Sequence, residues 1–204
     1  ETSPFDSHSV TISSDALGTL VMSGEGGSST ASAIDTTAAG DLWDAFDGMT
    51  NADGQADGQG VASATAGVGG NSFFYTTPAL MEGLTLTASW GPSAATTEAK
   101  NGYGLNYTGV DGLTVNYAVT DVVGTDNDSS GDNTVMKASY VYGSVTATYS
   151  HLDHDENLST HANDMESSSW AVSYTITDEL SVTYGTETHD KGANTVDSEI
   201  DSVS

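Results

Sequence analysis

Hydrophobic and small polar residues alternate through much of the chain, most clearly towards its C-terminal end. Trp170, Val172 and Tyr174 alternate with Ala171 and Ser173, and a similar pattern resumes after a short interruption. A period of two residues is typical of a β-strand with two different faces. The two runs therefore predict an antiparallel hairpin with one apolar face and one face of small, polar residues.

The same period predicts eleven short strands along the chain. Apart from a possible turn or two of helix at Ala38–Phe46, no helical pattern is present. The predicted strands are Phe5–Ser14, Gly18–Gly24, Asn71–Thr77, Leu84–Trp90, Tyr103–Thr108, Leu113–Thr120, Thr134–Tyr142, Ser144–Ser150, Ser168–Ile176, Leu180–Thr186 and Thr195–Val203.

The connections between these strands are alternately short and long. The short ones are Asp15–Leu17, Pro78–Gly83, Gly109–Gly112, Gly143 and Thr177–Glu179. The long ones are Glu25–Gly70, Gly91–Gly102, Asp121–Asn133, His151–Ser167 and Glu187–Asn194. In an up-and-down sheet this order places all short turns at one end and all long loops at the other. Outer-membrane β-barrels have this asymmetry.

Negative charge is excluded from the predicted strands. The chain has 204 residues, of which 29 are Asp or Glu, and its net charge is -26. The seven predicted strands between Leu84 and Thr186 contain none of these carboxylates. A charge facing hydrocarbon costs a few kcal/mol, about 2–4 for a lysine or arginine at the bilayer midplane. The pattern therefore favours an all-β, transmembrane, antiparallel, up-and-down β-barrel.

A barrel in a membrane assigns a role to each face. The apolar face meets lipid and the hydroxyl-bearing face encloses water. The predicted lumen-lining residues are Thr85, Thr87, Asn116, Thr146, Thr148 and Ser173. The predicted aromatic residues at the lipid–water interfaces are Trp90, Tyr107, Tyr142 and Trp170. The alternative is that the aromatic residues form cross-strand pairs inside a soluble β-sandwich.

Composition excludes several classes of function. The basic residues are three lysines, and there is no arginine, so binding of nucleic acid through a basic patch is excluded. The absence of cysteine excludes a disulfide scaffold, a cysteine–zinc site and cysteine catalysis. No window approaches the ~18 consecutive apolar residues that a membrane helix needs.

The connection Glu25–Gly70 is too long for an ordinary loop, and such segments are often functional. Its middle, GDLWDAFDGM, contains apolar residues spaced to pack on a surface. Glycine and small residues on both sides allow the segment to bend inward. Folded into a lumen, it would present Asp41, Asp44 and Asp47 to the solvent path.

The stretch LGTLVMSGE, the long insert and then SFFYTTPALMEGLTLTASW resemble the middle of a general bacterial outer-membrane porin. The abundance of Gly, Asp, Ser and Thr is similar to that of porins from marine α-proteobacteria. The resemblance implies a homotrimer of 16–18-stranded barrels in the bacterial outer membrane. It also implies that residues 25–70 fold inward and line the narrowest point. Asp35, Asp41, Asp44 and Asp47 would then belong to the constriction.

Two features depart from that family pattern. General porins oppose their acidic loop with a basic cluster on the wall, and this chain has no arginine. About eleven strands are found, and Ser204 stands where such barrels end in an aromatic residue. We therefore expect residues 1–204 to be a single, incomplete barrel domain from within a longer chain.

Metal-binding and catalytic motifs are weak. His151–Glu166 contains three histidines and several carboxylates, but their spacing matches no tetrahedral zinc site. Asp126–Lys137 begins like a calcium loop, yet Lys137 stands where an EF-hand has its bidentate glutamate. No hydrolase, phosphate-binding or metalloprotease motif is present. We expect no cofactor, no metal site and no enzymatic activity, with weak Ca²⁺ binding by loop carboxylates left open.

The sequence thus predicts a channel for passive diffusion of small, hydrophilic solutes, with a preference for cations. One alternative is a secreted or surface-attached acidic protein stabilised by calcium, such as an adhesin or an S-layer-like module. Another is a barrel that serves mainly as a receptor for phage or other partners through its long loops.

Overall fold

The computed structural model describes residues 8–34, 70–92, 99–123, 131–156, 164–191 and 198–203, which form one antiparallel sheet. Each strand pairs with the next in chain order, which confirms the predicted all-β, up-and-down topology. None of the described residues belongs to a helix long and apolar enough to span a membrane. The strands are β1 (Ser9–Ser14), β2 (Gly18–Ser23), β3 (Ser72–Thr76), β4 (Leu84–Gly91), β5 (Ala99–Tyr107), β6 (Leu113–Val123), β7 (Gly131–Tyr142), β8 (Val145–Glu156), β9 (Met165–Thr177), β10 (Leu180–Lys191) and β11 (Ser198–Val203).

The predicted strand boundaries are accurate at one end of the sheet only. At the end with the short connections, every observed boundary lies within one residue of the prediction. At the other end most strands from β5 to β10 continue further, and β8 reaches Glu156 rather than Ser150. The added residues include the carboxylates that the predicted strands lacked. Hydrophobic alternation stops before them, so the sequence pattern could not mark the ends of the strands.

The antiparallel register divides the side chains between two faces, because directly opposed residues share a face. Ser89, Gly102 and Thr120 are opposed in turn across β4, β5 and β6, and therefore lie on one face. We call it the loop face, because Thr30 and Ala31, in the connection after β2, lie against it. The opposite face, named here the aromatic face, carries most of the large side chains, including Trp90, Tyr103, Tyr117, Tyr149, Trp170, Val172, Tyr174 and Tyr184.

Burial is reversed relative to a water-soluble sheet. On the aromatic face, Trp170 is 40% exposed and Tyr142 is 75% exposed. On the loop face, Ser89, Thr120 and Ser150 are buried. A soluble sandwich encloses its aromatic side chains and exposes its polar ones. The described strands therefore contradict the soluble-sandwich alternative.

The short turns depend on glycines with left-handed backbone conformation. Gly83 and Gly112 both have φ of +74°, which an L side chain adopts at a cost of about 1–2 kcal/mol. Their carbonyl oxygens accept hydrogen bonds from the backbone N–H groups of Thr108 and Val141, both at 2.8 Å. Each turn is thereby attached to the hairpin that follows it.

Candidate functional site

The loop face collects the small polar side chains that the alternation predicted. All six residues predicted to line a lumen lie on this face, and all are half-buried. Thr85 and Thr87 are on β4, Asn116 is on β6, and Thr146 and Thr148 are on β8. Ser173, on β9, is directly opposed to Thr146. The structure therefore places the six residues on one face, on four of the six consecutive strands from β4 to β9.

Polar side chains on the loop face bond to one another across neighbouring strands. The Asn106 side-chain amide donates to the Asn116 side-chain oxygen at 2.6 Å. The Thr183 hydroxyl donates to the Ser173 hydroxyl at 2.9 Å. A further hydroxyl pair, between Ser139 and Thr148, is 3.1 Å apart. A hydroxyl or amide group can make more hydrogen bonds than the single one each forms here, so this face can be wetted.

A short segment that follows β2, Ser29–Ile34, lies against the loop face. The Ser29 backbone N–H donates to the Ser32 hydroxyl at 2.8 Å, and the Ser32 backbone N–H donates to the Ser29 hydroxyl at 2.9 Å. The Ile34 backbone N–H donates to the Ala31 carbonyl at 3.1 Å. These local bonds make the segment a compact turn, which presents the residues between its two serines to the sheet.

Thr30 joins this segment to the sheet through three contacts, two with side-chain hydroxyls and one with a backbone carbonyl. Its backbone N–H donates to the Ser89 hydroxyl at 3.1 Å. Its own hydroxyl donates to the Val119 carbonyl at 3.0 Å and lies 3.2 Å from the Thr120 hydroxyl. Thr30 is 1% exposed and Thr120 is fully buried.

Next to these polar contacts is a small apolar cluster. Ala31, Val135 and Leu152 are fully buried and pack together, and Ile34 packs against them. Val135 and Leu152 are directly opposed on β7 and β8. Val135 and Leu152, which are apolar residues on a face rich in hydroxyl groups, are therefore covered by the segment Ser29–Ile34.

Charged side chains on the loop face are few. Lys100 is opposed to Gly91, and Lys137 is opposed to Asn116 and Ser150. Both lysines therefore lie on the loop face. Glu187, opposed to Ser169, is a fully buried carboxylate on the same face.

The sequence pattern placed Ser89 and Thr120 on the polar face, but it assigned neither Lys100 nor Glu187 to a face and predicted no contact with Thr30. Continuing the two-residue period back from Asn106 would have placed Lys100 on the polar side. For Ser89 and Thr120 nothing in the sequence distinguishes them from other hydroxyl residues of the strands.

The four aromatic residues predicted for the lipid–water interfaces all lie on the aromatic face. Tyr107 and Tyr142 are the last residues of β5 and β7, next to short turns. Trp90 is near the other end of β4. Trp170 is the sixth residue of β9 and not at its end, because that strand continues beyond the apolar part of the face.

A row of aromatic side chains marks the end of the apolar part of the aromatic face. Beyond Tyr149 the next residue on this face is His151, and beyond Trp170 it is Ser168. The Trp170 and Tyr184 rings meet edge to face, with centroids 5.4 Å apart. The row consists of Trp90, Tyr103, Tyr117, Tyr149, Trp170 and Tyr184. Four of its members were not predicted, because their positions relative to the strand ends were not known.

Carboxylates follow this row on the extended parts of the strands. Asp121, Asp132 and Asp155 are opposed in turn across β6, β7 and β8. Asp153 is opposed to Glu166 in the same region. The aromatic row therefore separates an apolar region from a strongly acidic one, as at a boundary between hydrocarbon and water.

Other predicted sites are only partly within the described residues. The constriction candidates Asp35, Asp41, Asp44 and Asp47, and the start of the calcium-like segment, lie outside them. In the histidine-rich segment, His151 Nδ1 is 3.9 Å from a Glu166 carboxylate oxygen. Within the part of the chain that the structure describes, no three His, Asp or Glu residues are grouped to hold a metal ion.

Comparisons with known proteins agree with this geometry. Residues 5–204 match the family described as Gram-negative porin. A solved structure of a porin refined at 1.8 Å resolution matches with a TM-score of 0.52 and 15% sequence identity, over 96% of this chain and 75% of the porin. At that identity the likeness concerns the fold. A search of curated proteins gives no match.

Proposed function

Because this chain belongs to the Gram-negative porin family and is an outer-membrane channel protein, we propose that its loop face lines a water-filled pore for passive diffusion of small, hydrophilic solutes. Hydroxyl and amide groups on this face replace part of a solute's hydration as it passes. No covalent step and no cofactor are needed for such transport.

The reversed polarity of the sheet supports this proposal most strongly. Trp170 and Val172, both 40% exposed, lie on one side, and buried Ser169 lies on the other. An apolar face is stabilised when it lies next to hydrocarbon instead of water. With that face in lipid, the hydroxyl pairs of the loop face enclose the solvent path. The aromatic row and the tyrosines beside the short turns then mark the two lipid–water interfaces.

Closure of the sheet is part of the proposal. Within the described residues, β1 and β11 each pair on one side only. A sheet crosses hydrocarbon only when it has no unpaired edge, so residues 1–204 form one incomplete domain of a larger barrel. Since β1 and β11 run in the same direction, antiparallel closure takes an odd number of further strands. A total of 16 or 18 strands satisfies this condition.

Cation preference follows from the charge balance. The chain carries 29 carboxylates and three lysines, and a pore with a negative field enriches cations. In this proposal residues 25–70 fold into the lumen and set its diameter. Asp35, Asp41, Asp44 and Asp47 then lie at the narrowest point, where charge acts on a permeating ion at the shortest distance.

Bilayer recording of a triple variant tests this assignment. Asp41→Asn, Asp44→Asn and Asp47→Asn together should lower the cation-to-anion permeability ratio, obtained from the reversal potential in a salt gradient. The matched control changes Asp15, Asp111 and Asp178, in the short turns, to Asn. This control removes the same number of negative charges at the end of the barrel that carries the short turns. Equal ratios in the two triple variants would remove the insert from the selectivity mechanism.

Assembly as a homotrimer completes the proposal. Outer-membrane lipid covers the remainder of the aromatic face. Chemical cross-linking in detergent should give a band at three times the monomer mass, which persists after boiling because the cross-links are covalent. A monomer band alone, at all cross-linker concentrations, would contradict the trimer and leave the pore assignment unchanged.

A further inference from the structure

The segment Ser29–Ile34 contacts strands that are distant from the one it follows. It comes shortly after β2, yet Thr30 bonds to β4 and β6. Ala31 packs against β7 and β8. Four strand spacings separate β2 from β6, about 19 Å along the sheet at ~4.8 Å per strand. The chain therefore crosses the loop face as soon as it leaves β2.

We infer that Ser89, Gly102 and Thr120 form a seat for Thr30 that fixes the start of the long insert to the wall and so positions the insert in the pore. These are positioning residues, and their effect on transport rests on the function proposed above. The three residues are opposed in one line across β4, β5 and β6.

The polar part of the seat matches the groups that Thr30 and Ala31 present. The Ser89 hydroxyl accepts from the Thr30 backbone N–H at 3.1 Å. The Thr120 hydroxyl accepts from the Ala31 backbone N–H at 3.3 Å and lies 3.2 Å from the Thr30 hydroxyl. Ser89, Thr30 and Ala31 are all buried. Buried hydrogen bonds of this kind are costly to lose, because their partners are left without water.

Gly102 provides the space for the Thr30 side chain. A Cβ atom at Gly102 would collide with the Thr30 hydroxyl and with the Ser89 hydroxyl. This glycine has no positive φ, so a side chain is excluded by the neighbouring atoms rather than by the backbone. A strand glycine that leaves room for another chain segment is a known use of the residue.

An apolar contact extends the seat towards β8. Ala31 and Ile34 pack on Val135 and Leu152, which lie on the same face as Thr120. The segment is thus held by hydrogen bonds on one side and by apolar packing on the other. Loss of either contact should allow the insert to leave its position without unfolding the sheet.

A cysteine pair tests the seat directly. The chain contains no cysteine, and the hydroxyl oxygens of Thr30 and Thr120 are 3.2 Å apart. Thr30→Cys with Thr120→Cys should form a disulfide in the folded protein and lose reactivity with maleimide until reduced. The control pair is Thr30→Cys with Thr114→Cys, on the same strand and face but towards the short turns. Similar maleimide reactivity in the two pairs would overturn the seat.

Single-channel recording tests its effect on the pore. Thr120→Val keeps the shape but removes the hydroxyl, and with it the contacts to Ala31 and Thr30. The fraction of time in a second conductance level should rise roughly tenfold or more, since the loss of one buried hydrogen bond already gives that factor. Thr120→Ser should restore the wild-type trace, and Thr114→Val should not alter it. Identical traces for Thr120→Val and Thr114→Val would refute the positioning role.

The two experiments separate this inference from the proposed function. If the wild-type protein conducts no ions, the pore assignment fails, while the cysteine pair still decides whether the seat exists. If the wild type conducts and the cysteine pair fails to react, the pore remains and the seat is rejected.

Discussion

At the scale of single residues, neighbouring positions on one strand meet opposite environments. Val172 points from β9 to the aromatic face and is 40% exposed. Ser173 points to the loop face, where it accepts a hydrogen bond from Thr183. The change in the free energy of unfolding caused by the same substitution at these two positions therefore compares the environments of the two faces.

We expect Val172→Lys to lower the free energy of unfolding by about 2–4 kcal/mol, because it places a charge near the centre of the apolar part of the face. Ser173→Lys should cost much less, since its ammonium group reaches water, and it should lower the cation-to-anion permeability ratio. Urea titration in lipid vesicles gives both free energies. Equal costs at the two positions would mean that the faces have been assigned wrongly.

At the scale of elements, the alternation of residue types was sufficient to locate the strands. Leu113–Thr120 and Leu180–Thr186 were predicted to start where β6 and β10 start, because each follows a turn sequence and opens with an apolar residue. The other ends of these strands were missed. There the strands continue to pair in water. Both faces carry polar residues in this region, so apolar and polar residues no longer alternate along the sequence.

The candidate site was predictable to a similar, partial extent. The six hydroxyl or amide residues on the loop face followed from the period alone. The seat did not, because Thr30 and Thr120 are 90 positions apart and neither lies in a recognisable motif. Contacts of that separation depend on how the strands are arranged in the folded sheet, which no local pattern encodes.

The short turns allow a prediction about their glycines. Gly112 has φ of +74°, and a Cβ atom there would collide with the Val141 carbonyl oxygen. Gly112→Ala should therefore lower the free energy of unfolding by about 2–3 kcal/mol, from backbone strain and collision together. Gly143 has φ of +59° with nothing near its Cβ position, so Gly143→Ala should cost only about 1 kcal/mol. Urea titration of both variants provides the comparison, and a larger cost at Gly143 would contradict the turn geometry.

At the scale of the whole molecule, charge and polarity are distributed in layers along the barrel axis. Apolar side chains occupy the middle of the aromatic face, the aromatic row follows, and carboxylates occupy the extended strand ends. The chain can therefore carry a net charge of -26 and still cross hydrocarbon, because the carboxylates that the structure describes lie outside the apolar part of the aromatic face.

This layered charge predicts how selectivity depends on salt. The field of carboxylates spread along a pore reaches about 10 Å at 0.1 M salt and only about 3 Å at 1 M. The cation-to-anion permeability ratio of the wild type should therefore fall towards the ratio of free ion mobilities as salt rises between these values. If Asp41, Asp44 and Asp47 line the constriction as proposed, their triple variant should show a smaller fall, because it begins with a weaker negative field. Reversal potentials at equal concentration ratios and two mean concentrations measure both changes. A ratio that stays constant would show that ions are selected by direct contact within the constriction rather than by the field of the whole chain.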